Sequence, residues 1–471
     1  MSKDKKSKKI NQKSLVPYEF NQMDITTKTS TELIAEGQRL GLDQEYGRIA
    51  DYKPHKRDVE KIMDVRNSLL YKKLLNLKRE RMSESAFAFF RGTVDIMNHD
   101  LDLNSNSGIK TLIGGDAHIG NFGYYGSAEG QLLFDMNDFD ESHIGYWDYD
   151  VKRLLVSALL VAKQQGFDIK KDVNPFLHKV MKTYIRSLIH LNQLPAMERF
   201  IAPNTLENIA SAFNVVHDDR DKFDKSFTKI VSKTVKKAVR SNSDYAVQKY
   251  TEVVDGKRHF IENDPVTKHV GAKTYERLVN GYYDYRHHAR SDVHQFLSEF
   301  HIVDIVRHSV GVGSVGTLCY LLLLENSNGD YLVLQIKQAL PIYQNAEIYF
   351  NKHHSSGEEI VKCQRILQSS SDRFLGYFDT KNYSFYVRQF KDMKGSVKLN
   401  KLDWPAYRDY VSVCMNLLAR AHSRSSTFPM VIGYLQSQTW MDRAFVNFAN
   451  QYVKQVELDY QTFIKGEKDG K

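Results

Sequence analysis

Amphipathic helices are predicted wherever apolar residues recur every three or four positions among polar ones. Residues 57–82 show this pattern and predict one long helix that ends at Phe87 to Gly92, with an apolar face of Ile62, Val65, Leu69, Leu70, Leu74 and Leu77. Further helices are predicted over residues 151–163, 356–368, 404–422 and 432–465, and residues 170–300 are mostly helical in pattern. Residues 30–50 show no such period and are predicted to be irregular.

Short apolar runs predict strands in two parts of the chain. Residues 111–113 and 131–136 are bounded by glycine or polar residues, which is typical of brief strands. Residues 317–324 and 331–336 flank the turn sequence Asn326-Ser327-Asn328-Gly329-Asp330 and predict a hairpin, and residues 384–390 predict another strand. The fold class is therefore expected to be α+β.

The changes in pattern divide the chain into five segments. Residues 1–25 are a basic tail that we expect to be disordered, and residues 26–160 hold helices and the first strands. Residues 161–300 are mainly helical, residues 301–396 are rich in strands, and residues 397–471 return to helices.

Composition narrows the class of protein. With 471 residues, 42% hydrophobic and 26% charged, the chain has the composition of a globular protein. We expect no membrane span, because apolar runs are short, and a cytoplasmic location, because the N-terminus lacks the apolar stretch of a secretory signal. The scattered cysteines Cys319, Cys363 and Cys414 are expected to be buried, inert thiols. Of the net charge of +9, residues 1–14 carry +5, so nucleic-acid binding is not expected.

The stretch Gly114-Gly115-Asp116-Ala117-His118-Ile119-Gly120-Asn121 contains metal-site chemistry. Asp116 and Asn121 have the separation of the catalytic Asp and the Mg²⁺-binding Asn of kinases, and Asp135 follows on a predicted strand. These residues, with Asp138 and Asp140, supply the hard oxygens that Mg²⁺ prefers.

The carboxylate cluster, His118 and Asp150 keep alternative interpretations. The clustered carboxylates repel each other unless a metal, Arg91 or Lys152 compensates them. His118 is either a core histidine or a phosphate contact, and Asp150 has the position of a helix N-cap.

The stretch Gly311-Val312-Gly313-Ser314-Val315-Gly316 contains phosphate-binding chemistry. Glycines at this spacing let a backbone approach phosphate oxygens, and the hairpin that follows favours a kinase-type loop over a dinucleotide-binding one. Lys337 lies in the second strand of that hairpin, where kinases place the lysine that contacts the nucleotide phosphates. Glu358 and Glu359 are both candidates for the carboxylate that orients this lysine.

Several segments together resemble the bacterial family known as domain of unknown function 2252. They are Phe87 to Gly92, Gly115 to Gly123, Phe134 to Glu141, Trp147 to Leu155, Val310 to Thr317, Leu334 to Ala339, Phe385 to Ser396 and Leu418 to Ser423. That family is similar to protein-kinase-like enzymes, nearest to aminoglycoside and choline phosphotransferases, whose motifs are His-Gly-Asp-x-His-x-x-Asn, Ile-Asp-x-x-Asp and an Asp-Leu pair opening a helix. Gly114 stands where the first motif has histidine.

The resemblance implies a two-lobed protein-kinase-like fold, circularly permuted and carrying a large helical insertion. The stretch Gly114 to Asn121, here called the Asp loop, precedes the glycine-rich segment Gly311 to Gly316 in this chain, whereas in kinases it follows that segment. Asp116 and His118 are the implied catalytic residues, and Asn121, Asp135 and Asp138 the implied Mg²⁺ ligands. Gly311, Gly313, Ser314, Gly316 and Lys337 are implied to bind ATP.

Three functions are compatible with these motifs. The first is an ATP- and Mg²⁺-dependent phosphotransferase acting on a small hydroxylated molecule, with adenylyl transfer as a variant of it. The second is a nucleotide-binding regulatory protein without turnover. The third is a metal-dependent hydrolase built on His118 and the carboxylates, although no histidine pair has helical ligand spacing.

Overall fold

The computed structural model describes residues 28–216, 222–309, 316–344, 347–349 and 355–469. Its helices are α1 (Ser30–Leu42), α2 (Tyr46–Ala50), α3 (Val59–Asn67), α4 (Leu75–Met82), α5 (Ala86–Gly92), α6 (Val94–Asp102), α7 (Trp147–Gln164), α8 (Asn174–Gln193), α9 (Ala196–Ile201), α10 (Leu206–Val216), α11 (Lys225–Val239), α12 (Ser243–Tyr250), α13 (Ala272–His288), α14 (Ser291–Ser298), α15 (Ser356–Leu367), α16 (Trp404–His422), α17 (Phe428–Gln436) and α18 (Met441–Asp469). Within these ranges, none of the helices combines the length and the apolar character that crossing a bilayer requires.

In the described part of the chain, the strands form one large antiparallel sheet and four small ones. They are β1 (Lys110–Ile113), β2 (Phe122–Gly126), β3 (Leu132–Met136), β4 (His143–Tyr146), β5 (Thr251–Val254), β6 (Lys257–Phe260), β7 (Thr267–His269), β8 (Phe300–His308), β9 (Cys319–Asn326), β10 (Tyr331–Ala339), β11 (Ile342–Gln344), β12 (Glu347–Tyr349), β13 (Gly376–Asp379), β14 (Ser384–Gln389) and β15 (Gly395–Ser396). The α+β class is confirmed.

The six-stranded sheet has the order β13-β14-β10-β9-β8-β7 and apolar residues on both faces. Leu322 and Leu324 of β9 pack with residues of α13 and α14 on one face, and Leu321 and Leu323 pack with α12 and β6 on the other. Because both faces are covered, β9 is a continuous leucine run, as expected of a fully buried strand. The predicted β9–β10 hairpin is confirmed, with Leu334 opposite Leu322.

The predicted segment boundary at residue 300 separates residues that pack together. Strand β7 precedes that residue yet belongs to the six-stranded sheet, and helices α13 and α14, which also precede it, pack on that sheet. The strand-rich unit therefore begins near residue 243, where α12 also packs on it.

A second and larger core joins both ends of the chain. One apolar cluster contains residues of five helices and of two small sheets. The helices are α7, α8, α16, α17 and α18; one sheet pairs β1 with β4, and the other has the order β15-β2-β3. The predicted helix over residues 404–422 is confirmed as α16, whose N-cap Asp403 accepts a hydrogen bond from the N–H of Ala406 at 3.0 Å. Strand β15 pairs with β2 and so joins the end of the strand-rich unit to the Asp loop.

Residues 30–50 were predicted to be irregular, and this prediction is wrong. They contain α1 and α2, and α1 opens with a capping box between Thr29 and Glu32. The face of α1 that meets α17 is built from glycine: a Cβ on Gly37 would lie 1.9 Å from the carbonyl oxygen of Met430. Small residues that let two backbones approach leave no apolar period, which is why the pattern missed this helix.

The single helix predicted over residues 57–82 is also wrong. Helix α3 ends at Asn67, a short 3₁₀ turn covers Lys72–Leu74, and α4 follows. The N–H of Tyr71 donates to the carbonyl of Gly316 at 2.7 Å instead of to a helical carbonyl, so a tertiary contact interrupts the helix. Residues 86–92 form α5 and do not end a helix, and the region 432–465 is divided between α17 and α18.

Candidate active site

A cleft lies where the Asp loop, the end of β10 and helices α3 to α6 meet. Its wall carries five acidic residues and three basic ones: Asp95, Asp116, Asp138, Asp140, Glu141, Arg66, Lys78 and Arg91. The remaining wall includes Thr317 and Gln338 of the strand-rich unit. Asp116 of the first motif therefore lines the cleft together with Thr317 and Gln338, the chain neighbours of Gly316 and Lys337.

The loop that carries Asp116 is fixed by Asp150 on helix α7. The carboxylate of Asp150 accepts hydrogen bonds from the N–H groups of Gly114 at 2.7 Å and Gly115 at 2.9 Å. Gly115 has φ of +74°, and a Cβ there would lie 2.0 Å from the carbonyl oxygen of Glu141, so the position requires glycine. Asp150 lies inside α7, which begins at Trp147, so its predicted role as an N-cap is wrong.

Asp150 is itself oriented by a residue from the far end of α16. His422 Nε2 lies 3.1 Å from Asp150 Oδ2, and the hydroxyl of Tyr184 lies 2.7 Å from His422 Nδ1. In the arrangement that satisfies all three groups, Nε2 donates to the Asp150 oxygen and Nδ1 accepts from the tyrosine hydroxyl. These buried contacts connect α7, α8 and α16 behind the Asp loop.

Asp116 faces the cleft and contacts Arg153, which lies on helix α7 with Asp150. The Arg153 Nε donates to Asp116 Oδ1, and Arg153 Nη2 donates to the carbonyl of Phe90 at 3.0 Å. Burial raises the pKa of Asp116 to about 6, although the Arg153 charge opposes the shift. Asp116 is therefore ionised at neutral pH but titrates close to it, as suits a general base.

His118 lies behind Asp116. It is 2% exposed, and its Nδ1 accepts from the N–H of Gly120 at 3.0 Å. Burial, followed by the charges of Arg91 and Arg153, holds its pKa well below the ordinary value, so the ring is neutral. Nε2 therefore carries the proton and lies 3.8 Å from Asp116 Oδ2. His118 is thus a buried part of the loop, held by Gly120 and next to Asp116.

Lys337 reaches the cleft from strand β10 and meets the carboxylates of the loop after β3. It forms an ion pair with Asp140, and its Nζ lies 3.9 Å from Asp138 Oδ1. Burial by itself would lower the pKa of Lys337, but the charges of Asp138 and Asp140 raise it well above the ordinary value. Tyr386, opposite Lys337 on β14, donates its hydroxyl to Asp140 Oδ1 at 2.8 Å.

The predicted metal ligands differ in their surroundings. The Oδ1 atom of Asp138 is buried and makes no hydrogen bond with any described residue. Asn121 donates its side-chain N–H to the carbonyl of Asp116 at 2.8 Å, which leaves its amide oxygen as the group with ligand chemistry. Asp138 lines the cleft, and its ion pair with Lys337 at 3.9 Å is longer than a hydrogen bond, so Oδ1 retains acceptor capacity for a metal.

Asp135 is placed differently. It is fully buried, and its oxygens accept from Asn204 Nδ2 at 2.6 Å, from the N–H of Ser369 at 3.2 Å and from the N–H of Met136 at 2.9 Å. Neither Asp135 nor Asn121 is among the residues that line the cleft. These contacts describe an internal structural carboxylate.

The glycine-rich segment is described only at its end. Gly311, Gly313 and Ser314 lie outside the described residues. Gly316 has φ of +103°, and a Cβ on it would lie 2.9 Å from Leu70. Its carbonyl accepts from Tyr71, so this end of the segment rests on the loop between α3 and α4.

The family model described as "Uncharacterized protein conserved in bacteria (DUF2252)" matches residues 70–466. The chain belongs to this family. No curated protein and no solved structure matches the chain. The matched range contains the Asp loop, Lys337 and helix α16, so the cleft is a feature of the family region, with Arg66 just outside the range.

The basic residues of the cleft were partly missed from the sequence. Of the two cations considered there, Arg91 lines the cleft, whereas Lys152 pairs with Asp148 at 2.9 Å and is fully buried elsewhere. Arg153, and not Lys152, places a compensating positive charge beside Asp116. It follows Asp150 by three residues on one helix, so both side chains face the same loop, and this spacing was visible in the sequence.

Two further basic groups lie beside the carboxylates. Arg66 pairs with Glu141 and with Asp95 Oδ2 at 3.0 Å, and burial lowers the pKa of Lys78 to about 8. They lie in the segment predicted to be one continuous helix, which would not have brought them to the cleft. For Lys337, the observed acidic partner is Asp140, and Glu358 pairs with Lys362 at 2.6 Å.

Proposed function

We propose that this protein is an ATP- and Mg²⁺-dependent phosphotransferase. The observation that carries the proposal is the meeting of Lys337 with Asp138 and Asp140 in the cleft that also contains Asp116. A buried lysine beside carboxylates, with a base of suitable pKa nearby, is the set of groups that phosphoryl transfer requires. The set comes from segments about 200 residues apart.

The donor atoms fit Mg²⁺ and a nucleotide. Asp138 and the amide oxygen of Asn121 are hard oxygen ligands, and Asp138 Oδ1 is a buried atom to which none of the described residues donates a hydrogen bond. Lys337 would contact the phosphates, and bound Mg²⁺ would neutralise charge on them. We assign the carboxylate ligand role to Asp138 in preference to Asp135, whose oxygens already accept three hydrogen bonds.

Asp116 is the proposed base. Its carboxylate would accept the proton of the acceptor hydroxyl, and the Arg153 contact holds it in place while leaving it ionised at neutral pH. Arg91 lines the same cleft, and its buried Nε makes no hydrogen bond within the described part of the chain. A guanidinium in that position suits the charge that develops on a transferred phosphoryl group.

The proposed fold is a circularly permuted protein-kinase-like arrangement. The six-stranded sheet and α15 would form the nucleotide-binding lobe, and the Asp loop with α7 and α16 the other lobe. The hydrogen bonds from Gly114 and Gly115 to Asp150 support this proposal, because a helical aspartate that fixes the loop explains the third motif of the resemblance. A small hydroxylated acceptor is proposed, since the loop is most similar to that of small-molecule kinases.

A nucleotide-binding protein without turnover is the second candidate. The observation that favours it is the ion pair between Lys337 and Asp140, which occupies the lysine that a nucleotide would need. Such a protein would bind ATP but yield no product with any acceptor. The hydrolase hypothesis is less favoured, because His118 is buried and its Nδ1 already accepts a hydrogen bond from the N–H of Gly120.

Thermal unfolding with ATP, with and without Mg²⁺, tests the proposal. A ligand at ~100 times its dissociation constant stabilises the folded state by about 2.7 kcal/mol, which is a readily measured shift. We expect a Mg²⁺-dependent rise in the unfolding midpoint that Lys337→Met and Asp138→Asn abolish. Lys163→Met is the matched control, because Lys163 forms a half-exposed pair with Glu457.

The outcomes separate the candidates. Stabilisation with turnover that Asp116→Asn removes supports the phosphotransferase, and stabilisation without turnover supports the regulatory protein. If Asp135→Asn abolishes the Mg²⁺-dependent shift while Asp138→Asn keeps it, Asp135 is the ligand. Indifference to ATP combined with tight Mn²⁺ or Zn²⁺ binding lost in Asp138→Asn would refute nucleotide binding and favour the hydrolase.

A further inference from the structure

A second cluster of ligand-type side chains lies in the strand-rich unit, among residues that the proposed phosphotransfer does not use. His259 on β6, His269 on β7 and Asp304 on β8 place one ligand atom each within 4.8 Å of one another. The two imidazoles are half-exposed and the carboxylate is buried beneath them. The cluster involves the edge strand of the six-stranded sheet.

The strand geometry brings these three side chains together. His269 is opposite Val306 in the β7–β8 ladder, and Asp304 lies two residues along β8 and so points to the same face. A β-bulge precedes Asp304, since Ile302 faces Leu324 while Asp304 faces Leu323 on β9. Bulges commonly redirect a side chain, and this one orients Asp304 toward the histidines.

The carboxylate is held in place by the backbone. Asp304 Oδ2 accepts from the N–H of Phe260 at 2.7 Å, and Oδ1 accepts from the N–H of Ile305 at 2.7 Å. The Phe260 side chain is buried against Val306, which anchors β6 and therefore His259. The three ligand residues therefore lie on packed strands, which hold them close together before any metal binds.

The distances suit coordination by nitrogen and oxygen. His269 Nε2 lies 3.0 Å and His259 Nδ1 lies 3.8 Å from Asp304 Oδ2. Ligands about 2.0–2.1 Å from a tetrahedral metal ion stand roughly 3.3–3.4 Å from each other, so small side-chain movements produce the required geometry.

Glu262 contacts the ring nitrogen of His269 that does not face Asp304. Its Oε1 lies 2.9 Å from His269 Nδ1 and accepts from the N–H of His269 at 2.8 Å. A carboxylate on Nδ1 favours the tautomer whose lone pair is on Nε2, and a metal ion between Nε2 and Asp304 Oδ2 would replace their present 3.0 Å contact; such a carboxylate is the usual support of a metal-binding histidine.

We propose that His259, His269 and Asp304 bind one divalent transition-metal ion of the Zn²⁺ class, with Glu262 as the positioning residue for His269. Two imidazoles and one carboxylate suit Zn²⁺ and discriminate against Mg²⁺, which prefers oxygen ligands throughout. Three protein ligands leave at least one coordination position for water. The ion would join β6, β7 and β8 at the edge of the sheet, and this site is independent of the Mg²⁺ site proposed above.

A competition titration of the tag-free, full-length chain against a chromophoric Zn²⁺ chelator tests the site, with millimolar Mg²⁺ present throughout. We expect one tight equivalent of Zn²⁺. His259→Gln and His269→Gln should each weaken it by more than tenfold, and Glu262→Gln by ~10-fold or more. His301→Gln is the matched control, because His301 is an exposed histidine on β8 away from the cluster.

Circular dichroism of each variant establishes that it folds, as expected for changes at half-exposed side chains. Replacement of Zn²⁺ by Co²⁺ gives a visible absorption spectrum that reports ligand type and coordination number, and this spectrum should change in Glu262→Gln. Absence of a tight equivalent, or its persistence in either histidine variant, would overturn the proposal. A tight equivalent that appears only when Mg²⁺ is left out of the titration would also overturn it.

Discussion

Replacement of Lys337 by methionine removes the buried cation from two carboxylates and keeps the volume of the side chain. The Lys337 side chain is 4% exposed and that of Asp140 is 23% exposed. Removing one partner of a buried ion pair costs about 3–5 kcal/mol, and the partial exposure of Asp140 places the expected loss near the lower end, about 3 kcal/mol.

The loss should depend on pH in a defined direction. In the native protein burial raises the pKa of Asp140, but the Lys337 charge outweighs it and holds the pKa below the ordinary value. That contribution to stability is present above the carboxyl pKa of the unfolded chain and is lost as the pH falls. Without Lys337, burial raises the pKa, and the variant gains stability by binding a proton at low pH. The difference in unfolding free energy should therefore grow with pH, by at most ~1.4 kcal/mol per pH unit for one proton.

Urea unfolding followed by fluorescence and circular dichroism, at about pH 5.5 and about pH 8, measures this difference, and coincident transitions establish two-state behaviour. Lys163→Met provides the control, because a half-exposed pair contributes below about 1 kcal/mol at either pH. An equal loss at both pH values, or a loss no larger than that of the control, would refute the coupling of Lys337 to Asp140.

Three further predictions test the base, the loop and the core. The turnover rate should rise by roughly tenfold per pH unit up to about pH 6 and then level off, because the Asp116 base must be ionised; a flat pH–rate profile contradicts this. Asp150→Asn should lower the unfolding midpoint by the equivalent of about 1–3 kcal/mol, because the amide group fails to satisfy both Gly114 and Gly115; an unchanged midpoint excludes that role. Leu322→Ala should cost about 2–5 kcal/mol in urea unfolding, since Leu322 is fully buried in β9; the same loss for Leu458→Ala, at an exposed position, would be inconsistent with it.

The sequence predicts an element well when the signal is local. The β9–β10 hairpin follows from its turn, where Asn326 Oδ1 accepts from the N–H groups of Asn328 and Asp330. Helix α16 follows from a clear apolar period and the cap at Asp403. In contrast, α1 packs through glycines that leave no apolar period, although Thr29 and Glu32 cap its start, and Tyr71 after α3 donates to the distant carbonyl of Gly316.

The composition of the site was predictable, but the direction of each side chain was not. Asp135 and Asp138 are three residues apart and chemically identical. Asp135 lies within β3 opposite Gly123, so its side chain is directed by the ladder, whereas Asp138 follows the end of the strand and reaches the cleft. That distinction depends on where the strand ends and what it pairs with. The pairing of Lys337 with Asp140 likewise depends on how two distant segments pack.

The sharing of one core by α7 and α16 has a consequence for synthesis on the ribosome. Helix α7 is buried from Trp147 to Ala162, and α16, which packs on it, begins about 240 residues later in the chain. At ~5–20 residues translated per second, the apolar surface of α7 stays uncovered for roughly 12–48 s before synthesis of α16 begins. We expect the nascent chain to depend on chaperones during that interval, and fragments that stop before residue 404 to aggregate even though they contain the complete Asp loop.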